Sequence, residues 1–139
     1  MLDKASWIWY YADMSISEYE NITIAEMTKL FQALAENSRL RLLKCLQVRS
    51  ACVCELMQAT GMSQTRVSRH LGILKEAGLV VDERDAQWVP YSLAQPPTGT
   101  LAAKLLALLE EWGEGDEQVI SDRKRLATAQ RSQIPATTG

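Results

Sequence analysis

The chain has 139 residues, 47% of them hydrophobic and 23% charged, which suits one domain with one core. No apolar run approaches the roughly 20 residues that a membrane span requires, and the aromatic stretch 7–12, preceded by Asp3, is too short for a signal-peptide core; a cytoplasmic protein with no membrane partner is expected. The formal net charge of −2 excludes a uniformly basic nucleic-acid binder, but residues 39–84 hold eight Lys/Arg against four acids, while residues 1–38 hold two against six and residues 85–139 five against seven.

Within residues 1–21 the run Trp7-Ile-Trp-Tyr-Tyr11 is aromatic without helical spacing, and the segment reads as a weakly ordered N-terminal arm; a dimer-pairing segment and the product of an upstream start codon are the alternatives. A domain is expected over residues 22–112. Ile24, Met27, Phe31 and Leu34 recur at three- and four-residue steps, which predicts a helix over residues 22–35. Asn37 and Ser38 interrupt it, and Ser38 is the expected cap of a second helix, with Leu40, Leu42, Leu43 and Leu46 on its apolar face and Arg41 and Lys44 outward. Cys45 falls at the edge of that face, where a half-buried thiol acting as a small hydrophobe is the plain reading.

Residues 50–93 organise the rest. Val53 and Leu56 give a short helix its buried face and Gly61 stops it; Ser63 caps a second helix with Val67, Leu71 and Leu74 inside, and Gly78 ends that one. Helix, glycine turn and helix form the helix-turn-helix unit, whose second helix enters the DNA major groove. Residues 79–81 and the pair Trp88 and Val89 are β-rich runs around the polar stretch 82–87. They predict a hairpin, hence a winged helix-turn-helix that is mainly α with a small β-hairpin. After a Pro-rich break at residues 95–99, Leu101, Leu105, Leu108, Leu109 and Trp112 repeat at helical spacing, and Gly113 and Gly115 are expected to kink or divide the terminal helix. Residues 113–139 read as a helical extension and, from about Gln130, a disordered tail.

The strings Cys52-Val-Cys-Glu-Leu56, Ser63-Gln-Thr-Arg-Val-Ser-Arg-His-Leu71, Leu74-Lys-Glu-Ala-Gly-Leu79 and Gln87-Trp-Val-Pro-Tyr-Ser-Leu93 closely resemble the ArsR/SmtB-type metalloregulators. Within that family the chain looks most like the arsenical-resistance repressors. The resemblance implies a repressor of double-stranded operator DNA that needs no cofactor to bind. It also implies a homodimer built from the first and last helices, whose two-fold symmetry matches a palindromic operator. Release by arsenite or antimonite bound to cysteine thiolates is implied as well. Two departures stand out: a third cysteine common three residues after the second is Met57 here, and the wing turn Asp85-Ala-Gln lacks the glycine common in relatives.

Cys45, Cys52 and Cys54 are too few and too clustered for a disulfide scaffold, which leaves metal binding as the natural reading. On a regular helix, residues two apart point about 200° from each other. Cys52 and Cys54 can therefore share an ion only if the pair precedes the helix in extended form or if binding unwinds the first turn. Either way the ion-bound and DNA-binding shapes compete. Thiolates select soft metals. Zinc wants four ligands, and the one histidine, His70, belongs to the recognition helix. As(III) or Sb(III) fits by resemblance, with Cys45 either a third ligand or a buried spectator.

With Val67, Leu71 and Leu74 inward, Thr65 and Arg69 fall on the opposite face of the recognition helix, flanked by Arg66 and Ser68, with Gln64 at its exposed start. Arg can read guanine and Gln adenine, while Ser and Thr serve bases or phosphates. Ser63 belongs to the same end, His70 is expected to pack or touch phosphate, and Arg84 to reach phosphate from the wing. The bland alternative is a cap and solvated charges. A thiol redox-sensing repressor would use the same cysteine pair. The Cys-x-Cys spacing without a βαβ pattern argues against a thiol oxidoreductase. No base stands beside a nucleophile for another enzyme, and Arg66 and Arg69 argue against a winged helix used only for protein contacts.

Overall fold

The computed structural model describes residues 21–131; the readings of an N-terminal arm, save for residue 21, and of a disordered tail from about Gln130, save for residues 130 and 131, lie outside the described residues, and those two residues are tied to Gln58 and to the wing. Among the described residues, six helices and one hairpin follow in the order α1 (Ile24–Leu34), α2 (Asn37–Leu46), α3 (Val53–Thr60), α4 (Gln64–Glu76), β1 (Val80–Asp82), β2 (Tyr91–Leu93), α5 (Leu101–Glu111) and α6 (Glu117–Thr128).

Polar side chains start these helices by accepting N–H groups that lack a helical partner. Thr23 and Glu26 cap each other at α1, Ser63 accepts from Arg66, Thr100 from Ala103, and Asp116 from Gln118 and Val119. At α2 the cap is Glu36, which accepts the Arg39 N–H at 3.0 Å; the expected cap, Ser38, is instead a buried residue of the first turn. Gly61 (φ +75°) ends α3 and Gly78 (φ +79°) follows α4, both in the left-handed conformation that costs glycine least.

Leu42, Leu43, Leu56, Val67, Leu71, Leu74, Leu79 and Val80 form the core, closed by Leu126 of α6. That last helix overturns the expectation that Arg41 and Lys44 point outward. The terminal helix is divided: α5 ends at Glu111, Gly113 turns the chain at φ +81°, and α6 restarts and packs across α2 and α3. Lys44 is 5% exposed, its Nζ donating to the carbonyls of Leu109 (2.7 Å) and Trp112 (2.6 Å) at the end of α5 and pairing with Glu114. Arg41 grips Asp122 of α6. The α2 face that looked solvated is thus the seat of α6, and each buried charge there has a partner, as burial requires.

The wing pairs Val80 with Leu93, Val81 with Ser92 and Asp82 with Tyr91, antiparallel. Its second strand lies at Tyr91–Leu93 rather than at Trp88 and Val89. Pro90 has no N–H to give to a ladder and contributes only its carbonyl, to Glu83 at 3.0 Å, while Trp88 meets Asp85 in an isolated bridge. The intervening turn places Ala86 at φ +56°, where a residue other than glycine costs about 1 kcal/mol. Ala51, just before α3, exchanges two hydrogen bonds with Tyr91 (3.0 and 2.8 Å), so the thiol-bearing segment runs along the base of the wing.

Candidate nucleic-acid interface and thiol pair

Helical periodicity divides α4 sharply. Val67, Leu71 and Leu74 are fully buried, whereas Thr65, Arg66, Ser68 and Arg69 are exposed together with the cap Ser63; Gln64 is half-buried. The side chains of Arg69, and of Arg84 on the wing, are exposed and make no hydrogen bond or ion pair among the described residues. Arg66 reaches back to the Ser38 hydroxyl at 3.0 Å, which fixes its stem against α2.

His70 turns the other way. It is 4% exposed, and its Nδ1 lies 3.1 Å from Arg39 Nη1, with the Glu36 carboxylate 3.9 Å off. Burial pushes its pKa below the ordinary imidazole value, and the neutral ring can accept from Arg39. Arg39 also donates to the carbonyls of Ala33 (2.7 Å) and Gln32 (3.0 Å) at the end of α1. His70 therefore fastens α4 to α1 and α2, apart from the exposed row.

The same bonds revise the charge count. Of the eight basic residues in 39–84, Arg39, Arg41, Lys44 and Arg49 are engaged inside the fold, and Lys75 pairs with Asp82 at 3.0 Å. Arg66, Arg69 and Arg84 remain as the outward cations of the recognition helix and wing.

Cys52 is the N-cap of α3, with extended backbone (φ −81°, ψ 165°), and Cys54 is the second residue inside the helix. The pair straddles the helix boundary: the first cysteine precedes the helix, the second does not. Cys52 is buried, Cys54 half-buried and Cys45 wholly buried. Burial pushes the Cys45 thiol up to about 11; Asp122 adds to the rise, and Arg123, Arg41 and Arg125 oppose it. Those charges belong to α2 and α6. Burial also raises the Cys52 thiol, but its charged neighbours are different ones: Arg131, which lowers it, then Glu55 and Cys54. Among the described residues no three His, Cys, Asp or Glu side chains stand together in a way that could hold a metal ion. A cleft of about 460 Å³ between α2 and the α5–α6 turn, lined by Leu40, Lys44, Leu109 and Trp112 among others, contains none of the predicted site residues.

Several residues around the thiols escaped the sequence reading. Glu55, at the third helical position, accepts the Cys52 N–H at 2.9 Å and an N–H of Arg49 at 2.8 Å. A glutamate three residues after a cap is a recognisable signal. Arg131 lies over the Trp88 ring, 5.8 Å from its centroid, and within 3.7 Å of Asp85, which ties the segment after α6 to the wing tip; nothing local announces that contact.

The model of the bacterial regulatory protein family arsR matches residues 36–81, from the cap of α2 through the recognition helix into the wing. The chain is 37% identical to the arsenical resistance operon repressor of Escherichia coli over 100 residues, which span 71% of this chain and 83% of that protein. It is 36% identical to the arsenic resistance transcriptional regulator ArsR1 of Pseudomonas putida over 108 residues, 76% of this chain and 82% of the relative. Among solved structures, the transcriptional repressor BigR from Xylella fastidiosa superposes with a TM-score of 0.54 at 31% identity, covering 63% of this chain and 82% of that one. A homodimeric winged helix-turn-helix DNA-binding domain from Mycobacterium bovis gives 0.55 at 28% identity, over 78% and 90%. With its helix-turn-helix, wing and cysteine pair in the places described, this chain belongs to the arsR family of bacterial regulatory proteins.

Proposed function

We propose that the protein is a transcriptional repressor that binds operator DNA as a homodimer and lets go when As(III) or Sb(III) is held by the thiolates of Cys52 and Cys54. One observation carries the reading: two soft donors sit at the N-terminal boundary of α3, the helix that packs against the recognition helix α4. The donor set suits a thiophilic metalloid, since two sulfurs stand without a surrounding oxygen or imidazole cluster among the described residues. Names of relatives support the same inducer class.

In this reading Arg69 and Arg66 read or clamp the major groove, aided by Gln64, Thr65 and Ser68, and Arg84 holds a phosphate from the wing. The cysteines need not touch DNA. Cys52 has its N–H tied down and its side chain buried, so engaging both sulfurs requires the first turn of α3 to rearrange. That turn supports α4, and the DNA-bound and inducer-bound arrangements exclude each other. Dimerisation is supported by large apolar side chains exposed on α1 and α5, namely Ile24 (75%), Phe31 (48%), Leu108 (50%) and, just past α5, Trp112 (67%). No described helix is long and apolar enough to cross a membrane; the reading places the protein in the cytoplasm with its operator.

The test is fluorescence anisotropy of a labelled promoter duplex with the full chain, titrated with arsenite, antimonite, zinc, cadmium or peroxide. Release by arsenite and antimonite at concentrations where zinc does nothing is expected. Release by peroxide alone would transfer the cysteine pair to redox sensing.

A further inference from the structure

We propose that Glu55 and Arg49 form a latch that holds the first turn of α3 in its DNA-binding shape, and that opening this latch is the conformational step that admits the inducer. The inference rests on the reading of Cys52 and Cys54 as the inducer's ligands and adds the residues that set how readily they can be reached.

The bonds form a continuous chain. Glu55 is 6% exposed; one carboxylate oxygen accepts the Cys52 backbone N–H at 2.9 Å and the other accepts Arg49 Nη1 at 2.8 Å. Arg49 Nη2 then donates to the carbonyl of Leu126 at 2.9 Å and of Ala129 at 3.3 Å, capping the last turn of α6. A second tie runs parallel: the Gln58 side chain donates to the carbonyls of Cys54 (3.1 Å) and Gln130 (2.7 Å), and its own oxygen accepts the Gln130 N–H at 3.3 Å. Both cysteines thus have a backbone group fastened to the end of α6, Cys52 through the side chains of Glu55 and Arg49 and Cys54 through that of Gln58. Rearranging the turn strips Glu55 of the Cys52 N–H and leaves a buried carboxylate short of a partner. The latch opposes inducer binding and favours the DNA-binding shape, so Glu55 and Arg49 are positioning residues for the sensing pair.

Glu55→Gln keeps an oxygen for the Cys52 N–H but loses the ion pair, and Arg49→Gln loses it from the other side. Each variant is expected to bind arsenite roughly three- to tenfold more tightly, a range set by an ion pair with one buried and one part-exposed member. Affinity would be read from the ultraviolet thiolate–arsenic absorbance of the full-length protein. The double variant should gain no more than either single one, since both remove one interaction. The two substitutions change the local charge in opposite directions, so tightening in both reads the latch and not the field at the thiols. Without inducer, the amides of Cys52, Glu55 and Leu56 should exchange with solvent faster in both variants, while the α4 amides keep their protection. Unchanged or weaker arsenite binding in Arg49→Gln, additive effects in the double variant, or unaccelerated exchange in the α3 turn would each overturn the latch. Arsenite binding to a Cys52→Ser/Cys54→Ser protein would instead overturn the ligand reading, and the exchange experiment would still judge the latch.

Discussion

Asp122→Ala tests whether α6 is held to the body of the fold as described. The carboxylate is 1% exposed and serves four donors: Arg41 Nε at 2.8 Å and Nη2 at 3.0 Å, Arg125 Nη2 at 3.1 Å and Gln118 Nε2 at 2.9 Å. The Asp122 hydrogen bond is also the main reason that the Arg41 guanidinium holds its proton even more tightly than usual. Removing one partner of a buried ion pair typically costs 3–5 kcal/mol. The Arg41 and Arg125 side chains keep 22% and 48% of their exposure, so water compensates part of the loss. A destabilisation of about 2–3.5 kcal/mol remains, a large share of the roughly 5–15 kcal/mol of a small domain. In urea, with a slope of about 1.5 kcal/mol per molar, the midpoint should fall by about 1.3–2.3 M at unchanged slope. Asp122→Asn, which keeps an acceptor but not the charge, should lose about half as much. A loss below about 0.5 kcal/mol for the alanine variant would refute the argument that this bridge fixes α6 across α2 and α3.

Arg69→Ala should weaken operator binding by about 1–3 kcal/mol per protomer if the guanidinium reads a base edge. If it meets only phosphate, the main effect is a salt slope shallower by about 2 per dimer; unchanged affinity and slope would remove Arg69 from the interface. Leu108→Asp with Trp112→Asp should turn a dimer into monomers in sedimentation, because both side chains are exposed in the single chain and contribute little to its own core; persistence of the dimer would place the interface elsewhere. Iodoacetamide at pH 8 should label Cys54 first and leave Cys45 intact until unfolding, with early labelling of Cys45 contradicting its burial. The Cys45 thiol ionises near 11 when folded and near 9 when unfolded, so its share of stability is present below about 9 and lost as pH rises toward 11.

What could be read in the sequence was local. Ser63, Gly61, Gly78 and the Val67/Leu71/Leu74 spacing act within one or two turns, and they account for the recognition helix and its exposed row. The contacts that escaped are long-range. Arg41 meets Asp122 across 81 positions and Lys44 meets the end of α5 across 65, so an α2 face that looks solvated by composition becomes an interface only when α6 folds back. β-propensity at Trp88 and Val89 points to a second wing strand there, but it ignores the N–H that Pro90 lacks, and the strand lies at Tyr91–Leu93. Serine favours the capping position, so Ser38 reads as the cap of α2, but Glu36 two residues earlier has the extended backbone and the carboxylate that reaches the Arg39 N–H. The cysteine geometry was half legible: spacing posed the choice between an extended pair and an unwound turn, and the fold divides it, with Cys52 before the helix and Cys54 within it.

The central claim is tested most directly by the response of DNA-bound protein to arsenite when Cys52 and Cys54, the proposed inducer ligands, are both replaced. Cys52→Ser and Cys54→Ser together remove the soft donors at nearly constant size, so the protein should still bind its operator with parental affinity. Arsenite should then no longer lower the anisotropy of the labelled duplex at concentrations that release the parent completely. Release of the double variant at the parental arsenite concentration would contradict the account, because the switch would lie outside the turn that begins α3.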